Sequence, residues 1–578
     1  MSKKRLKTAA VPEPGRRRLL ALALGLGALC WLSVLPGILF WDSEVLILNN
    51  VFLRSFEYLG KIWTTSVTAG GGEINNYYRP FPVTLLLLQY QLWGPSPVGY
   101  HAVSVLLHLL ATALLFLWTE RVSGSRKTAF LTSVLFCLHP VQNETVNYVD
   151  HFEGILALVF GLCALLAREG GRRLLSLAAL ALSLLCKEEG AVFFPILALR
   201  ELFLVEEKPS LKALLRLWPE ALLFGVYAGL RLSVFNFLDL PVTAFGAQKG
   251  AYAGLPLRLL TFAKALTTYL GLFVFPAGLH FDRDMAPVAS LADLSAWGAL
   301  ALDGLVLGGL WRLSGRAGRW GLLWFLCGLL PYCGLLPFNN ILAEHFLYIP
   351  SAGLLLTAAL LLERLLKDAA RTAALAAVCG VFLWQNTAYN RVWQSDERVY
   401  LRTLSGNPKS FRAANNLGTV YFKQKRLAEA RQAFGLSLQA NPAYPPALNN
   451  LGATAEAEGK LGEALEWYLR SAAAQESYAL AHKNAAGALQ RAGRLAEAES
   501  YARTALRYHP EYMEAWHILG ITLFQQGRRQ EGLDCLLKAR SIGEDLDLNR
   551  NLAIVYKTLG EPEKAEAARR RYEAMGGK

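Results

Sequence analysis

Apolar residues fill the first two thirds of the chain in runs about as long as a lipid bilayer is thick. Runs of about 20 such residues predict transmembrane helices, because a helix satisfies its own backbone hydrogen bonds in lipid. Beyond residue 388 the pattern becomes polar and keeps the spacing of short amphipathic helices. The sequence thus predicts an all-α protein with a polytopic membrane region over 1–388, a linker or degenerate half-repeat over 389–408, and a soluble region over 409–578.

About eleven membrane spans are predicted, the first of them a signal-anchor that is retained. They lie near 19–41, 98–120, 127–139, 152–168, 173–186, 190–205, 214–236, 293–312, 319–338, 347–366 and 370–388. Two further apolar stretches, Pro80 to Trp93 and Leu255 to Pro276, are predicted to lie in the membrane interface, because stretches of this kind are too short to cross.

Basic residues sort the loops between these spans into two faces. Lys and Arg cluster before the first run and in five alternate loops, 121–127, 168–173, 208–212, 312–319 and 367–371. Basic loops stay in the cytoplasm, so the N-terminus is predicted inside and, after an odd number of spans, the soluble region on the outer face of a cytoplasmic (inner) membrane. The net charge of +14 therefore reflects orientation. No basic stripe interleaved with aromatic residues predicts a nucleic-acid partner.

The soluble region carries a 34-residue repeat. Leu417-Gly418, Leu451-Gly452 and Leu519-Gly520 stand in register, with Ala485-Ala486 in the remaining slot; Ala430, Ala464 and Ala498 recur at a second position, and Phe434 and Tyr468 at a third. Small residues where paired helices touch, with an aromatic residue opposite, are typical of tetratricopeptide repeats. About five repeats are predicted over 409–578, forming an α-solenoid whose concave face would bind a polypeptide or a partner protein.

Charged residues gather at the predicted outer ends of the spans. Asp42 and Glu44 follow the first span within Trp41-Asp42-Ser43-Glu44, where a carboxylate is either a catalytic base or a solvated loop residue. Arg79 precedes the first interfacial stretch. It is suited to phosphate oxygens, and the alternative is a guanidinium that extends to the lipid head groups.

Three more groups of candidates lie on the same face. They are His139 and Glu144 after the third span, Lys187 and Glu188 in a short turn, and Glu344, His345 and Tyr348 at the start of the tenth span. A lysine in such a turn can hold a phosphate or simply pair with Glu188. The histidine and glutamate can equally be ordinary polar loop residues.

Neither a nucleotide nor a metal is predicted as a cofactor. The chain has no glycine-rich phosphate loop, and a site on the outer face would meet no cytoplasmic nucleotide, so an activated substrate must arrive bound to lipid. Histidines and acids, among them His280-Phe281-Asp282, lack a diagnostic ligand spacing, and the eight cysteines form no metal motif. A divalent metal is therefore not expected.

An ordered set of short motifs precedes the repeats. It comprises Trp41-Asp42 with Asn49-Asn50, Tyr78-Arg79-Pro80, Gly99-Tyr100-His101 with His108, His139-Pro140 with Glu144-Thr145-Val146, Lys187-Glu188, and Ala343-Glu344-His345 with Tyr348-Ile349-Pro350-Ser351. This set resembles the transmembrane and tetratricopeptide-repeat O-mannosyltransferases and their bacterial relatives. The resemblance implies a GT-C glycosyltransferase fold, a polyprenyl-phosphate-linked sugar such as mannose as donor, and a Ser/Thr hydroxyl of an exported protein as acceptor. Inversion at the sugar follows if the transfer is one displacement with no covalent intermediate.

The resemblance also implies roles for individual residues. Asp42 would be the general base, with Glu44 beside it. Arg79, Lys187 and His139 would hold the donor phosphate, and the site would be organised by Glu144, Glu188, Glu344, His345 and Tyr348. Two positions depart from the family pattern: an adjacent acidic pair is usual where this chain has Asp42-Ser43-Glu44, and Ala-Glu-Arg is usual where it has Ala343-Glu344-His345.

Two other functions remain open from the sequence. A related transferase could modify a lipid or a polysaccharide, with the repeats recruiting partners. A non-catalytic membrane scaffold could instead present the repeats outside the membrane.

Overall fold

A computed structural model describes residues 15–72, 75, 77–205, 211–233, 254–335 and 341–577. The chain divides into two compact units, Met1–Asn407 and Pro408–Lys578. The α-helices of the first unit are α1 Arg16–Trp31, α2 Leu59–Ile62, α3 Pro80–Trp93, α4 Pro97–Ser123, α5 Arg126–Leu138, α6 Asn143–Asn147, α7 Phe152–Glu169, α8 Arg173–Cys186, α9 Phe193–Arg200, α10 Leu211–Leu215, α11 Trp218–Ser233, α12 Leu255–Val274, α13 Leu294–Leu313, α14 Arg316–Gly328, α15 Tyr348–Leu365, α16 Asp368–Asn390 and α17 Asp396–Gly406. No strand occurs in the described ranges, which confirms the all-α prediction.

Six helical segments of the described chain are long and apolar enough to cross a membrane. They are Arg16–Val34, Pro97–Ser123, Val149–Glu169, Leu255–Val274, Leu294–Leu313 and Glu344–Leu365. Helix α5 matches the predicted span 127–139 to within one residue and ends before His139-Pro140, where the residue preceding a proline leaves the helical region. Parts of the predicted spans 214–236 and 319–338, together with Asn339 and Asn340, lie outside the described residues.

Helix α12 corrects the prediction for the second interfacial stretch. It has 20 residues and is long enough to cross, so the argument from length was wrong. Both of its ends nevertheless contact segments of the predicted outer face. Arg258 near its start donates to the carbonyl of Leu335 at 3.5 Å, and the carbonyl of Phe273 near its end lies 3.2 Å from Nε2 of His139.

A buried asparagine network joins α6 to the helices around it. Asn143 donates to the side-chain oxygens of Asn386 (3.2 Å) and Asn390 (2.6 Å) on α16, and Asn147 donates to Asn390 at 2.8 Å. Asn390 in turn donates to Ser33 Oγ, just after α1, at 2.9 Å. Buried amides need such partners, and here residues 243 to 357 positions apart supply them. The short helix α6 is thereby fixed against the rest of the unit.

The second unit is a stack of helix pairs, and its repeat pattern is confirmed. In the described part of the unit the helices are α18 Phe411–Lys423, α19 Leu427–Ala440, α20 Pro445–Ala457, α21 Leu461–Ala474, α22 Ala479–Arg491, α23 Leu495–Tyr508, α24 Met513–Gln525, α25 Arg529–Ile542, α26 Leu546–Thr558 and α27 Pro562–Ala574. A Cβ on Gly452 would stand 2.6 Å from the ring of Tyr468, and one on Gly418 would stand 2.5 Å from that of Phe434. Glycine therefore recurs where an aromatic ring packs directly on the helix.

Replacing Gly452 by alanine is expected to loosen α20 and α21. The new methyl group must displace Tyr468, and overpacking of this kind costs about 1–3 kcal/mol. Hydrogen exchange of the amides over 445–474 measures the loss. Gly435→Ala is the matched control, because a Cβ there meets nothing within 4 Å. Equal exchange in both variants would contradict the packing argument.

Candidate active site

Asp42 stands on a turn that the preceding residue holds in an unusual conformation. Trp41 has φ of +52°, the left-handed region that costs a non-glycine residue about 1–3 kcal/mol. Aromatic packing stabilises the turn: Phe281 lies 5.2 Å from Trp41 between ring centroids, and Phe40 packs edge-on against Tyr148 at 5.7 Å. Such strain is common at functional sites, and here it fixes the direction in which Asp42 projects.

The carboxyl group of Asp42 reaches solvent but is crowded by protein atoms. Loss of hydration raises the pKa of Asp42 above its usual value of 3.8, opposed by a hydrogen bond from Tyr148 and by the charge of Arg79. The backbone N–H of Asp42 donates to the hydroxyl oxygen of Tyr148 at 3.0 Å. An exposed carboxylate with a raised pKa is a better proton acceptor than a free aspartate.

A second carboxyl group, that of Asp150, lies next to Asp42. The buried hydroxyl of Ser43 donates to its two oxygens at 2.9 and 3.1 Å, and the Tyr148 hydroxyl is within hydrogen-bonding reach of both Asp42 and Asp150. Glu44 opens the next helical turn and is exposed. Where the family pattern has a second acid next to Asp42, this chain has Ser43. The hydroxyl of Ser43 contacts a different carboxyl group, that of Asp150, which is more than 100 residues away in the sequence.

Arg79, predicted to hold the donor phosphate, is engaged by two carboxylates. Its guanidinium forms a salt bridge with Glu153 and approaches Glu188 to 2.9 Å. Arg231 approaches the other oxygen of Glu188 at 3.3 Å. Burial raises the pKa of Glu188, but the charges of Arg79 and Arg231 outweigh it and leave that pKa below the usual value. Glu188 therefore stays ionised and orients both guanidinium groups.

Lys187 also has a carboxylate partner, but not the one considered from the sequence. Its ammonium group pairs with Glu189, which in turn accepts a hydrogen bond from Tyr332. The extended backbone of Lys187 at the end of α8 directs the side chain inward, where it is only 12% exposed. The predicted phosphate-binding cations are thus both held within ion pairs.

Glu344, just before α15, accepts hydrogen bonds from the loop that follows α12. One of its oxygens accepts from the His280 backbone N–H at 3.0 Å and from Arg283 at 2.8 Å. Those two residues flank Phe281, the ring that packs on Trp41. Glu344 therefore supports the Asp42 turn through the loop, which fits its predicted organising role.

Glu144 and His345, both predicted to organise the site, contact each other. Glu144 Oε1 lies 2.7 Å from His345 Nδ1, and His151 is the third member of the cluster, its ring centroid 4.0 Å from that of His345. His151 also packs against Tyr148 at 4.5 Å between centroids. The cluster therefore adjoins the tyrosine that contacts Asp42.

Two predicted residues have other partners. Both ring nitrogens of His139 have partners within the protein, Nε2 at the carbonyl of Phe273 and Nδ1 as acceptor for the Val141 N–H. The Tyr348 hydroxyl lies 2.8 Å from His108 Nδ1, and both residues are buried. Tyr348 thus stabilises the helical core.

Sequence reasoning assigned no role to Tyr148, Asp150 or Glu153, which the structure brings beside Asp42 and Arg79. The signal was the density of polar groups in Tyr148-Val149-Asp150-His151-Phe152-Glu153, directly before an apolar helix. The 3₁₀ turn Val149–His151 sends these side chains in different directions. Their partners are about 75–200 residues distant, beyond the reach of any local pattern.

Ser43→Asp, which restores an adjacent acidic pair, is expected to destabilise the protein. The new carboxyl would enter a buried space already occupied by Asp150, and two carboxyl groups in such a place cannot both ionise. The pKa of the introduced group is raised, so the loss is small at low pH and grows as the pH rises through that pKa. Thermal unfolding between pH 4 and 8 measures this trend. Ser43→Asn, polar and uncharged, serves as the control, and an equal loss at every pH would contradict the explanation.

Comparisons with known proteins agree with both units. A tetratricopeptide-repeat family model matches residues 397–445 and 484–545. The protein O-mannosyl-transferase F38B6.6 of Caenorhabditis elegans is 27% identical over 425 residues, covering 70% of this chain and 60% of that protein. The human protein O-mannosyl-transferase TMTC4 is 26% identical over 458 residues, covering 67% and 62%. Among solved structures, TTC0263, a thermophilic tetratricopeptide-repeat protein of Thermus thermophilus, is 24% identical with a TM-score of 0.26, covering 29% of this chain and 91% of that one.

The apolar helices, the charged cluster at their ends and the repeats define an integral membrane protein with a tetratricopeptide-repeat region. The chain is similar to proteins named protein O-mannosyl-transferases, and part of its repeat region matches a tetratricopeptide-repeat family model. Its matches span about 60% of the length of these relatives.

Proposed function

We propose that the chain is a glycosyltransferase of GT-C type that moves a mannose or related hexose from a polyprenyl-phosphate donor to Ser/Thr hydroxyls of exported proteins. The observation that carries the proposal is Asp42, an exposed carboxylate with a raised pKa, fixed on a strained turn beside Asp150 and the Arg79 cluster. The names of the homologous proteins support mannose as the sugar and protein as the acceptor.

In the proposed reaction Asp42 accepts the proton of the acceptor hydroxyl. The hydroxyl oxygen forms a bond to the anomeric carbon as the bond from that carbon to the phosphate oxygen breaks, and polyprenyl phosphate leaves with the electron pair. A single displacement inverts the anomeric centre. Arg79 and Lys187 lie in the same charged cluster and stabilise the negative charge of the leaving phosphate. Positioning supplies much of the rate, because aspartate is a weak base.

The test uses the purified full chain with polyprenyl-phosphate mannose and a Ser/Thr-rich acceptor peptide. We expect mannose on the peptide, released by alkaline β-elimination, with the anomeric configuration opposite to that of the donor. Asp42→Asn is the matched control. Transfer to lipid or polysaccharide but not to peptide would replace the acceptor assignment. No transfer to any of the three, with folded protein, would favour a scaffold.

We further propose that the N-terminus is cytoplasmic and the repeats lie on the outer face, as the alternation of basic loops predicts. Tags at the N-terminus and in the 312–319 loop are then protected from reagents outside intact cells, and a tag at the C-terminal end is accessible. Protease and impermeant-thiol labelling measure both. A protected C-terminal tag would contradict the arrangement, since the repeats would then be separated by the membrane from an outward-facing Asp42.

A further inference from the structure

Three side chains that are distant in sequence converge beside the candidate active site. Glu144 comes from α6, His151 from the turn Val149–His151, and His345 from the 3₁₀ turn Glu344–Leu347. One potential ligand atom from each lies within 4.8 Å of the other two. Glu144 is buried, whereas the imidazoles remain 14–15% exposed, so the cluster is reachable from solvent.

The separations suit a metal ion. Bonds of about 2.0–2.1 Å at tetrahedral angles put ligand atoms about 3.3 Å apart. Glu144 Oε1 lies 2.7 Å from His345 Nδ1 and 3.8 Å from His151 Nδ1, on either side of that value. The two imidazole rings are 4.0 Å apart between centroids, so both can reach one ion.

One atom of the cluster points independently to a ligand. His151 Nδ1 is buried and has no hydrogen-bond partner among the described residues. A buried polar atom left without a partner costs about 1–3 kcal/mol. A metal bound between His151 and the Glu144–His345 pair would satisfy that atom.

We propose that Glu144, His151 and His345 bind one divalent transition-metal ion of the Zn²⁺ class. Two imidazoles and one carboxylate are ligands that Zn²⁺ accepts, and three protein ligands leave one coordination position open. This replaces the expectation from sequence spacing that the chain binds no metal.

The ion would also add positive charge where the donor phosphate is proposed to bind. Arg79 and Lys187 already pair with glutamates, so part of the positive charge that they offer a phosphate is offset. A divalent ion with an open position supplies that charge. This use of the ion rests on the proposed transferase function, whereas binding of the ion does not.

Metal binding is tested on the detergent-purified full chain after treatment with EDTA. Titration with Co²⁺ is expected to give the visible absorption of four-coordinate cobalt, saturating at one equivalent and displaced by Zn²⁺. Zn²⁺ is also expected to raise the Tm, because a ligand that binds only the folded state stabilises it. A wild-type chain that shows neither the Co²⁺ band nor the Tm rise overturns the proposal, whatever the variants do.

Variants locate the site. His151→Gln and His345→Arg each remove one ligand, and the arginine keeps a donor to Glu144, so both are expected to weaken Co²⁺ binding by at least about 100-fold. His509→Gln, which removes an exposed histidine of the repeats, retains wild-type binding. Wild-type affinity in both cluster variants overturns the assignment.

A parallel transfer assay separates this proposal from the proposed function. Metal binding in a protein that transfers no sugar supports the metal site and counts against the transferase. Sugar transfer by a protein that binds no metal does the reverse.

Discussion

Substitution of Asp42 by asparagine is expected to lower the turnover of sugar transfer by about 10²–10⁴, the usual contribution of a positioned general base. Asparagine keeps the shape of the side chain and the backbone hydrogen bond to Tyr148, but it cannot accept the proton. The measurement is single-turnover transfer from lipid-linked sugar. Glu44→Gln is the control and should stay close to the wild type, because Ser43 supplies the hydrogen bonds to Asp150 and Asp42 is the proposed base. A silent Asp42→Asn beside an inactive Glu44→Gln would move the base to Glu44.

The pH profile gives the same prediction a second readout. The protonated form of Asp42 cannot act as a base, so turnover rises as the pH rises through the pKa of this group. That pKa lies above 3.8, so the acidic limb of the profile has its midpoint above 3.8 in the wild type. The limb should be absent from the residual activity of Asp42→Asn. An unchanged limb in the variant would assign it to another group.

Arg79→Ala is expected to act on stability and on donor binding together. The change leaves Glu153 buried without its partner, and breaking a buried pair in this way costs about 3–5 kcal/mol. In the proposed function Arg79 also stabilises the donor phosphate, so the Kd for the lipid-linked donor should rise at least about tenfold. Thermal unfolding and donor binding measure the two effects.

A double variant separates these effects. Adding Glu153→Gln to Arg79→Ala removes the unpaired charge and should recover most of the stability, but not the donor affinity. Arg503→Ala, which breaks an exposed pair with Glu499 in the repeats, is the control and should cost less than about 1 kcal/mol. Full recovery of donor binding in the double variant would show that Arg79 acts only in holding the fold.

The repeats were predictable because the residues that pack against each other lie within one repeat of the sequence. A 34-residue period places Gly452 and Tyr468 on neighbouring helices of one pair, so their contact can be read from a single repeat. Asp42 was predictable as a candidate for a similar reason, since it ends the first apolar run. Its surroundings were not, because Tyr148 and Asp150 meet it across more than 100 residues.

The errors also have physical causes. Apolar composition marks where a helix is favoured, and the length of α5 was predictable because His139-Pro140 also marks its end. The charged candidates were chosen one residue at a time. In the structure Arg79 and Lys187 are paired with glutamates, and this pairing affects what each can bind. The sequence around Lys187 does not distinguish Glu188 from Glu189 as its partner. The extended backbone at the end of α8 directs the Lys187 side chain to Glu189.

The asparagine network has a consequence for biosynthesis. Asn143 and Asn147 are translated long before Asn390, and until then their side chains lack the amide oxygen of Asn390 that accepts from them in the folded unit. The hydrogen bond between Asn390 and Ser33 likewise forms only after most of this unit has been translated. The segment that carries Glu144 therefore becomes fixed only when α16 arrives. A nascent chain truncated before α16 should remain open to membrane quality control and carry an unassembled site, so completion of the last membrane-region helix acts as a checkpoint on activity.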